Sequence, residues 1–326
     1  MLTQVSHRAM ATDFVVMLPA HAADAVELVV SALEGLDAIE SALTIYREDS
    51  EVSRANLLAS DQPVRLSEPT FELLQAAVRW SERTDGAFDV TAGPLVDAWG
   101  FTQRSGRKPT KDEIDQALAR VGYQHLELSP EQRTVQFARP GMSINLGAIG
   151  KGDALDRLAR GLRDQGLHDF LIHGGNSSVI ASGDQVLGSG LGWGVGLAHP
   201  SKPKRRLAGL WLRDRALATS GSGKQFFHHR GRRYGHVIDP RTGYPAGDLL
   251  SLTVLARSAR DADACATGLF VAGSDATAKW STEDWMPPLI SVRQGKWQDA
   301  VDVQWSGEIQ WMEAPAVEYP PSESDG

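Results

Sequence analysis

An acid and a hydroxyl, Asp263 and Thr267, stand four residues apart in the stretch ARDADACATGLFVAG, residues 259–273. In an α-helix, positions i and i+4 lie on one face, so the two side chains can share a ligand. Carboxylate, hydroxyl and carbonyl oxygens are the ligands that Mg²⁺ prefers. The alternative is that Thr267 bonds back to a backbone carbonyl while Asp263 is solvated. The pair is therefore a candidate Mg²⁺ site, and other parts of the chain must decide between the two interpretations.

A glycine-rich segment, NLGAIGKG at residues 145–152, joins a predicted strand to a predicted helix. Such a turn can direct backbone N–H groups and the positive end of a helix dipole at an anion, with Lys151 adding charge. The segment is neither a Walker loop nor a dinucleotide GxGxxG turn. A tight turn with a surface lysine explains the same residues equally well.

Two further segments place polar groups next to turns. ATSGSGK, residues 218–224, offers hydroxyls and amides after a strand and is a second candidate phosphate cradle. HVIDPRTG, residues 236–243, combines a histidine with an acid, although Asp-Pro and Thr-Gly are turn formers and can be purely structural. The histidines within 228–236 do not predict zinc, because cysteine partners and a helical His-x-x-x-His pair are missing.

Composition excludes several classes of protein. The chain has 326 residues and a formal net charge of −8, which argues against a nucleic-acid partner. Its single cysteine, Cys265, excludes an internal disulfide and is typical of core packing. No apolar run reaches the length of a membrane-spanning helix, and the first residues lack the apolar region of a signal peptide. We therefore expect a cytoplasmic protein without membrane insertion.

Hydrophobic periodicity predicts the elements that must position these groups. It indicates a first strand at 13–18 and a long helix over 26–39. Ser67 is expected to cap a second helix, and Thr110 with Glu113 forms a capping box. Further strands are expected at 133–137, 142–146, 207–213, 251–256 and within PPLISVR at 287–293.

The last helix has start and stop signals of its own. Ser258 and Asp261 resemble a capping box, and Gly273 is expected to end the helix. Residues 86–101 fit no regular element, and 217–247 are interpreted as a long functional loop.

Strands and helices are unevenly interspersed, which favours an α+β fold over a doubly wound sheet. Residues 1–300 are predicted to form one catalytic domain, either a single unit or two intimately packed lobes. Residues 301–326 are predicted to be a C-terminal extension with a disordered, proline- and acid-rich end.

Taken together, the motifs resemble the ApbE family of FAD:protein FMN transferases over roughly residues 8–275. The motifs, in chain order, are AMAT at 9–12, SEVSRAN at 50–56, GAFDVTAGPL at 86–95, LGAIGKG at 146–152, ATSG at 218–221, GHVIDPRTG at 235–243 and DADACAT at 261–267. The resemblance implies an ApbE-like, T-fold-like arrangement of mixed, largely antiparallel sheets with packed helices. It also implies that FMN from FAD is attached to a threonine or serine of an acceptor protein in a Mg²⁺-dependent reaction that releases AMP.

The same resemblance implies the site residues. The implied metal ligands are Asp263, Thr267 and the carbonyl of Ala148, with the carbonyl of Ala266 as a further candidate. The implied FAD contacts are Met10, Tyr46, Ala87, Phe88, Asp89, Asn145, Lys151, His236, Val237 and Ile238, with Ser220 and Gly221 near the phosphates. Accordingly, we expect the helix predicted at 259–273 and the glycine-rich segment 145–152 to meet around a divalent ion.

The chemistry needs a base, because an acceptor hydroxyl is a poor nucleophile until its proton is removed. His236 is the first candidate, since imidazole titrates near working pH. Asp239 either orients it or holds the turn, and Lys151 stabilises charge on the phosphoryl oxygens. The alternatives are a Mg²⁺-dependent FAD pyrophosphatase, with water as acceptor, and a non-catalytic flavin-binding protein.

Three positions depart from the family pattern. Asn145 stands where the family usually has aspartate, and Asn176 follows Gly174-Gly175 where the family has Gly-Gly-Asp. Ser222-Gly223-Lys224 replaces the usual Asp/Asn-Tyr pair after ATSG. These departures are expected to affect nucleotide affinity and acceptor fit more than metal binding.

Overall fold

The computed structural model describes residues 2–103, 105–221, 226–296 and 300–315. The strands are β1 Thr3–Ala9, β2 Thr12–Leu18, β3 Val64–Arg65, β4 Leu126–Ser129, β5 Thr134–Phe137, β6 Phe170–Gly174, β7 Ser178–Ser182, β8 Trp193–Ala198, β9 Arg206–Leu212, β10 Arg215–Gly221, β11 Phe226–His229, β12 Arg232–Gly235, β13 Ser251–Ala256, β14 Leu289–Gln294, β15 Val301–Ser306 and β16 Trp311–Glu313. The α-helices are α1 Val26–Glu34, α2 Leu36–Leu43, α3 Glu51–Leu58, α4 Glu68–Arg83, α5 Gly93–Ala98, α6 Lys111–Leu118, α7 Gly147–Asp164 and α8 Ala259–Trp280. Two short 3₁₀ helices occupy Ala20–Ala25 and Tyr123–His125.

The central element is an antiparallel sheet. Among the described residues it contains eight strands in the order β1-β2-β6-β7-β10-β13-β14-β15, and each neighbouring pair is antiparallel. The smaller sheets are β16-β9-β8, β3-β5-β4 and the hairpin β11-β12. The α+β class with largely antiparallel sheets is therefore confirmed.

The two faces of the central sheet pack against different layers, because successive side chains of a strand point to opposite faces. Ile172 and Val254 belong to the core shared with α7 and α8. Leu171 and Leu217 belong to a second core, which includes Trp193 of the β8-β9-β16 sheet. The molecule is thus layered as helices, central sheet and small sheet.

Helices α7 and α8 cross at their N-terminal ends. A Cβ atom at Gly152 would lie only 2.2 Å from the carbonyl oxygen of Ala259, so a larger residue cannot occupy this crossing. The carboxylate of Asp156 on α7 accepts bonds from the Ser258 hydroxyl at 2.8 Å and from the amides of Ala259 and Arg260 at 2.8 and 3.0 Å. Asp156 therefore caps α8 from another helix.

Both predicted N-caps lie at helix starts, but only that of α6 is a reciprocal capping box, formed by Thr110 and Glu113. At α8 Ser258 accepts a bond from the Asp261 amide at 3.1 Å, while Asp261 accepts one from the Trp80 indole. Gly273 has a φ of 81°, outside the helical range, so the first segment of α8 ends there as predicted. A second helical segment follows directly, and Asp248 accepts a bond from its Ser274 amide at 2.8 Å.

Other boundaries differ from the sequence prediction. The helix expected over 26–39 divides into α1 and α2 at Gly35, and β1 precedes the predicted first strand. Residues 142–146 form no strand, because the side-chain amide of Asn56 bonds both backbone groups of Ile144 at 2.7 and 2.9 Å.

Segments expected to be irregular contain regular elements. Residues 86–101 include α5, and the loop expected over 217–247 contains β11, β12 and most of β10. Residues 301–306, assigned to the C-terminal extension, form β15 of the central sheet, and 316–326 lie outside the described residues, as do Ser222, Gly223 and Lys224. None of the helices in the described ranges is both long and apolar enough to span a bilayer.

Candidate functional site

A cavity of about 1130 Å³ opens where α7, α8 and the central sheet meet. The predicted site residues that line it are Met10, Tyr46, Ala87, Phe88, Asp89, Asn145, Ala148, Lys151, Ser220, Gly221, His236, Val237, Ile238, Asp263 and Thr267. Ala266 and Asp239 lie outside this lining. Segments that are far apart in the sequence therefore converge on one cleft.

Asp263 lies at the floor of the cleft, 7% exposed. Its Oδ2 accepts a bond from the Gly152 amide at 2.8 Å, and its Oδ1 accepts one from the Ser178 hydroxyl at 2.6 Å. Burial raises the pKa of the Asp263 carboxyl, while the charge of Lys151 and the two hydrogen bonds act in the opposite direction. Ser178 was not predicted, since a polar residue in a strand gives no signal of its partner.

Thr267, one turn further along α8, faces the last residues of β10. Its hydroxyl lies 2.9 Å from the hydroxyl of Ser220, and the neighbouring Thr219 hydroxyl lies 2.8 Å from that of Thr253. The predicted acid–hydroxyl face of α8 therefore points into the cleft, and the ATSG segment supplies its neighbour.

The N-terminus of α7 forms another wall. Oδ1 of Asn145 accepts a bond from the Gly147 amide at 2.9 Å, so the neutral side chain still shapes the turn where the family usually has aspartate. Nζ of Lys151 lies 3.5 Å from the Gly147 carbonyl oxygen. Backbone amides, the positive helix end and a lysine thus face the same space, which suits an anionic ligand.

Met10 lies in the tight turn between β1 and β2. Met10 and Ala11 have φ values of 51° and 59°, which non-glycine residues adopt rarely. A Cβ atom at Gly150 would lie 3.3 Å from the Met10 methyl carbon, so this turn reaches the first turns of α7. Strained turns of this kind persist where the surrounding structure holds them.

Asp89 shapes the segment opposite α8. Its carboxylate accepts bonds from the Thr91 amide and hydroxyl at 2.8 and 2.7 Å and from the Tyr123 amide at 2.8 Å. Burial raises the pKa of this carboxyl. A Cβ atom at Gly268 would lie 3.1 Å from Cβ of Phe88, so α8 lies directly against this segment.

His236 lies at the other side of the cleft, with its ring centroid 6.4 Å from that of Phe101. The nearby Asp239 carboxylate accepts bonds from the amide and guanidinium of Arg241, each at 2.9 Å. The backbone amide of Asp239 donates to the Tyr244 carbonyl at 2.8 Å. These bonds favour a role for Asp239 in holding the turn over a role in orienting His236.

The fold and the cleft define a mixed α+β protein with an oxygen-rich cleft beside a helix N-terminus. The model of the ApbE family matches residues 3–287, and the chain belongs to the ApbE family. The resemblance inferred from the motifs is therefore confirmed.

Relatives and solved structures agree with this assignment. The chain is 33% identical to the FAD:protein FMN transferase of Vibrio cholerae over 262 residues, and this match covers 79% of this chain and 77% of that protein. It is 35% identical over 246 residues to the FAD:protein FMN transferase of Escherichia coli, which covers 74% and 69%. The apo crystal structure of the Pseudomonas stutzeri flavinyl transferase ApbE superposes with a TM-score of 0.82 at 26% identity, over 94% and 95% of the two chains.

Proposed function

We propose that this protein is an FAD:protein FMN transferase that acts on a threonine or serine of an acceptor protein. The hydroxyl oxygen of the acceptor attacks the FMN-side phosphorus of FAD, the bond from that phosphorus to the bridging oxygen breaks, and AMP leaves. The hydroxyl proton passes to a base of the protein. The observation that carries this proposal is the meeting of Asp263 with the α7 N-terminus inside one cleft, at a Gly152–Asp263 distance of 2.8 Å.

The donor set fits Mg²⁺. Asp263, Thr267 and the Ala148 carbonyl supply hard oxygen atoms along one wall, and the Ser220 hydroxyl lies beside Thr267. In a regular helix the Gly152 amide would donate to the Ala148 carbonyl, and here it donates to Asp263 at 2.8 Å. Across the described ranges no group of three or more His, Cys, Asp or Glu side chains can hold a metal, so one carboxylate would act with neutral oxygens.

Burial of Asp263 supports the same assignment. A buried carboxylate is costly unless a positive charge compensates it, and burial raises the pKa of this one. When bound, Mg²⁺ would supply Lewis-acid stabilisation to the pyrophosphate oxygens. Ser178 and Gly152 would hold the Asp263 carboxylate in a fixed orientation, as partners of metal ligands do.

The other walls of the cleft carry residues that can bind the phosphates, accept the proton and cover the nucleotide. The amides at the start of α7 and the ammonium of Lys151 would bind the phosphates and offset the charge that develops on them. His236 would accept the acceptor proton, while Asp239 holds the turn that follows through Arg241. Tyr46 is 71% exposed at the cleft and would cover a flat ring of the bound nucleotide.

The test is a reaction of the purified protein with FAD, MgCl₂ and a threonine-containing acceptor peptide. We expect AMP by chromatography and a peptide heavier by the mass of FMN less one water by mass spectrometry, both abolished by EDTA. AMP and free FMN in equal amounts without any peptide would instead identify an FAD pyrophosphatase. If FAD stays intact after long incubation with Mg²⁺ and peptide, the protein binds flavin without catalysing the transfer.

A further inference from the structure

The hairpin β11-β12, residues 226–235 and hereafter the basic hairpin, has one buried face and one exposed face. On the buried face the rings of Phe227 and Tyr234 are stacked with centroids 5.4 Å apart. On the exposed face Phe226 is 43% exposed, and the guanidinium of Arg233 lies 3.9 Å from its ring centroid. Because the aromatic stack anchors the hairpin, its exposed face is presented in a fixed orientation.

The exposed face is basic on an otherwise acidic molecule. The chain has a formal net charge of −8, yet no acidic residue occurs between Asp214 and Asp239. On the exposed face His228 and Arg233 lie opposite each other across the two strands, and Arg230 is exposed in the turn between them.

The basic hairpin is continuous with the cleft. Its last residue precedes His236 directly, and Phe101 connects the two structures. The Phe101 ring centroid lies 5.8 Å from that of Phe227 and 6.4 Å from that of His236, and both Phe101 and His236 line the cavity. A partner held on the hairpin would therefore lie next to the proposed base.

We propose that the basic hairpin docks the acceptor protein through an acidic segment that flanks the hydroxyl residue receiving FMN. This inference rests on the proposed function, since only a transferase must place a second protein beside His236. The net charge of −8 would repel an acidic acceptor at long range, and a local positive patch reverses that effect at the cleft. Complementary charge of this kind mainly raises the association rate and selects the partner.

The experiment uses two synthetic peptides of equal length, in which one threonine is flanked by aspartates or by lysines. Binding to the full chain is measured by fluorescence anisotropy without FAD, at low and at high salt. We expect the aspartate peptide to bind at least about tenfold more tightly at low salt, with the preference reduced at high salt. Arg233→Glu and Arg230→Glu should each remove most of this preference. Arg160→Glu, an exposed arginine of α7, is the matched control and should keep it.

A thermal melt of each variant separates lost docking from lost folding, and Arg233→Gln removes the charge where the reversal does not fold. Equal binding of both peptides, or an equal effect of Arg160→Glu, would overturn the proposal. Tighter binding to anionic phospholipid vesicles than to the aspartate peptide would overturn it in favour of a membrane surface. Transfer of FMN is assayed separately: docking without transfer would remove the proposed function alone, and transfer unaffected by Arg233→Glu would remove the docking surface alone.

Discussion

The amide of Gly152 donates to Oδ2 of Asp263 at 2.8 Å, although the two residues are 111 positions apart in the chain. Asp156, one turn beyond Gly152 on α7, caps the first residues of α8 in return. Each helix thus supplies a carboxylate to the N-terminal half of the other. This exchange fixes Asp263 at the floor of the cleft relative to the N-terminal end of α7.

Asp263→Asn is expected to lower Mg²⁺-dependent AMP release from FAD by about 100-fold or more, because changes around metal ligands already cost 10–100-fold. The asparagine can still accept from Gly152 and donate to Ser178, so the fold should survive. Since burial raises the pKa of Asp263, the metal-free variant should melt at the same or a higher temperature than the wild type. AMP is measured by chromatography with MgCl₂ and with EDTA.

Asp261→Asn is the matched control for this prediction. Asp261 lies on the same helix and accepts a bond from the Trp80 indole at 2.8 Å, outside the cavity lining. It should retain AMP release. Full Mg²⁺-dependent activity in folded Asp263→Asn would exclude Asp263 as a metal ligand.

Gly152→Ala should destabilise the protein strongly, because the added methyl would lie 2.2 Å from a backbone oxygen of Ala259 that cannot move independently. We expect a loss of about 3 kcal/mol or more in the free energy of unfolding, at the upper end of overpacking effects. Gly161→Ala on the same helix has nothing within 4 Å of the new atom and should be neutral or stabilising. Urea unfolding of both variants measures the difference, and equal effects would show that the crossing has room to relax.

Local signals could be read from the sequence, and long-range ones could not. The capping pairs Ser258–Asp261 and Thr110–Glu113 were found because their partners are three residues apart. Most of the site residues that the family motifs implied line the cleft. The cap that Asp156 provides has no sequence signal, since its partners are 102 to 104 positions away.

The errors also have physical causes. Gly273 ends the first segment of α8 as predicted, but the second segment was missed, because the Asp248 carboxylate that accepts from the Ser274 amide is distant in sequence. The apolar residues of 142–146 resemble a strand, but Asn56 takes the hydrogen bonds of Ile144 that a neighbouring strand would take. In both cases a side chain distant in sequence replaced a backbone partner.

Glu113→Gln is expected to change the acid sensitivity of the fold. Hydrogen bonds from Arg107 and from the Thr110 amide lower the pKa of Glu113 from 4.5 to about 2. A lowered pKa in the folded state adds stability above pH 4.5, and this stability is lost as the pH falls from 4.5 to about 2. The wild type should therefore be more stable than Glu113→Gln near neutral pH, by a margin that vanishes over this range.

Urea unfolding at several pH values tests this expectation. Glutamine keeps an acceptor for the Thr110 amide, so the comparison isolates the charge. Because both side chains are exposed, 1 M NaCl should shrink the margin. A margin that stays constant from neutral pH to pH 2 would show that it does not come from the charge of Glu113.

His236→Gln should slow FMN transfer far more than it weakens FAD binding. Loss of a general base typically costs about 10²- to 10⁴-fold in rate, whereas glutamine still lines the cleft with a polar group of similar size. Flavin fluorescence titration gives the Kd for FAD, and single-turnover assays with an acceptor peptide give the transfer rate. His168→Gln, an exposed histidine away from the cavity lining, should change neither quantity. Equal losses in binding and transfer would make His236 a nucleotide-binding residue, and the proton would then need another acceptor in the cleft.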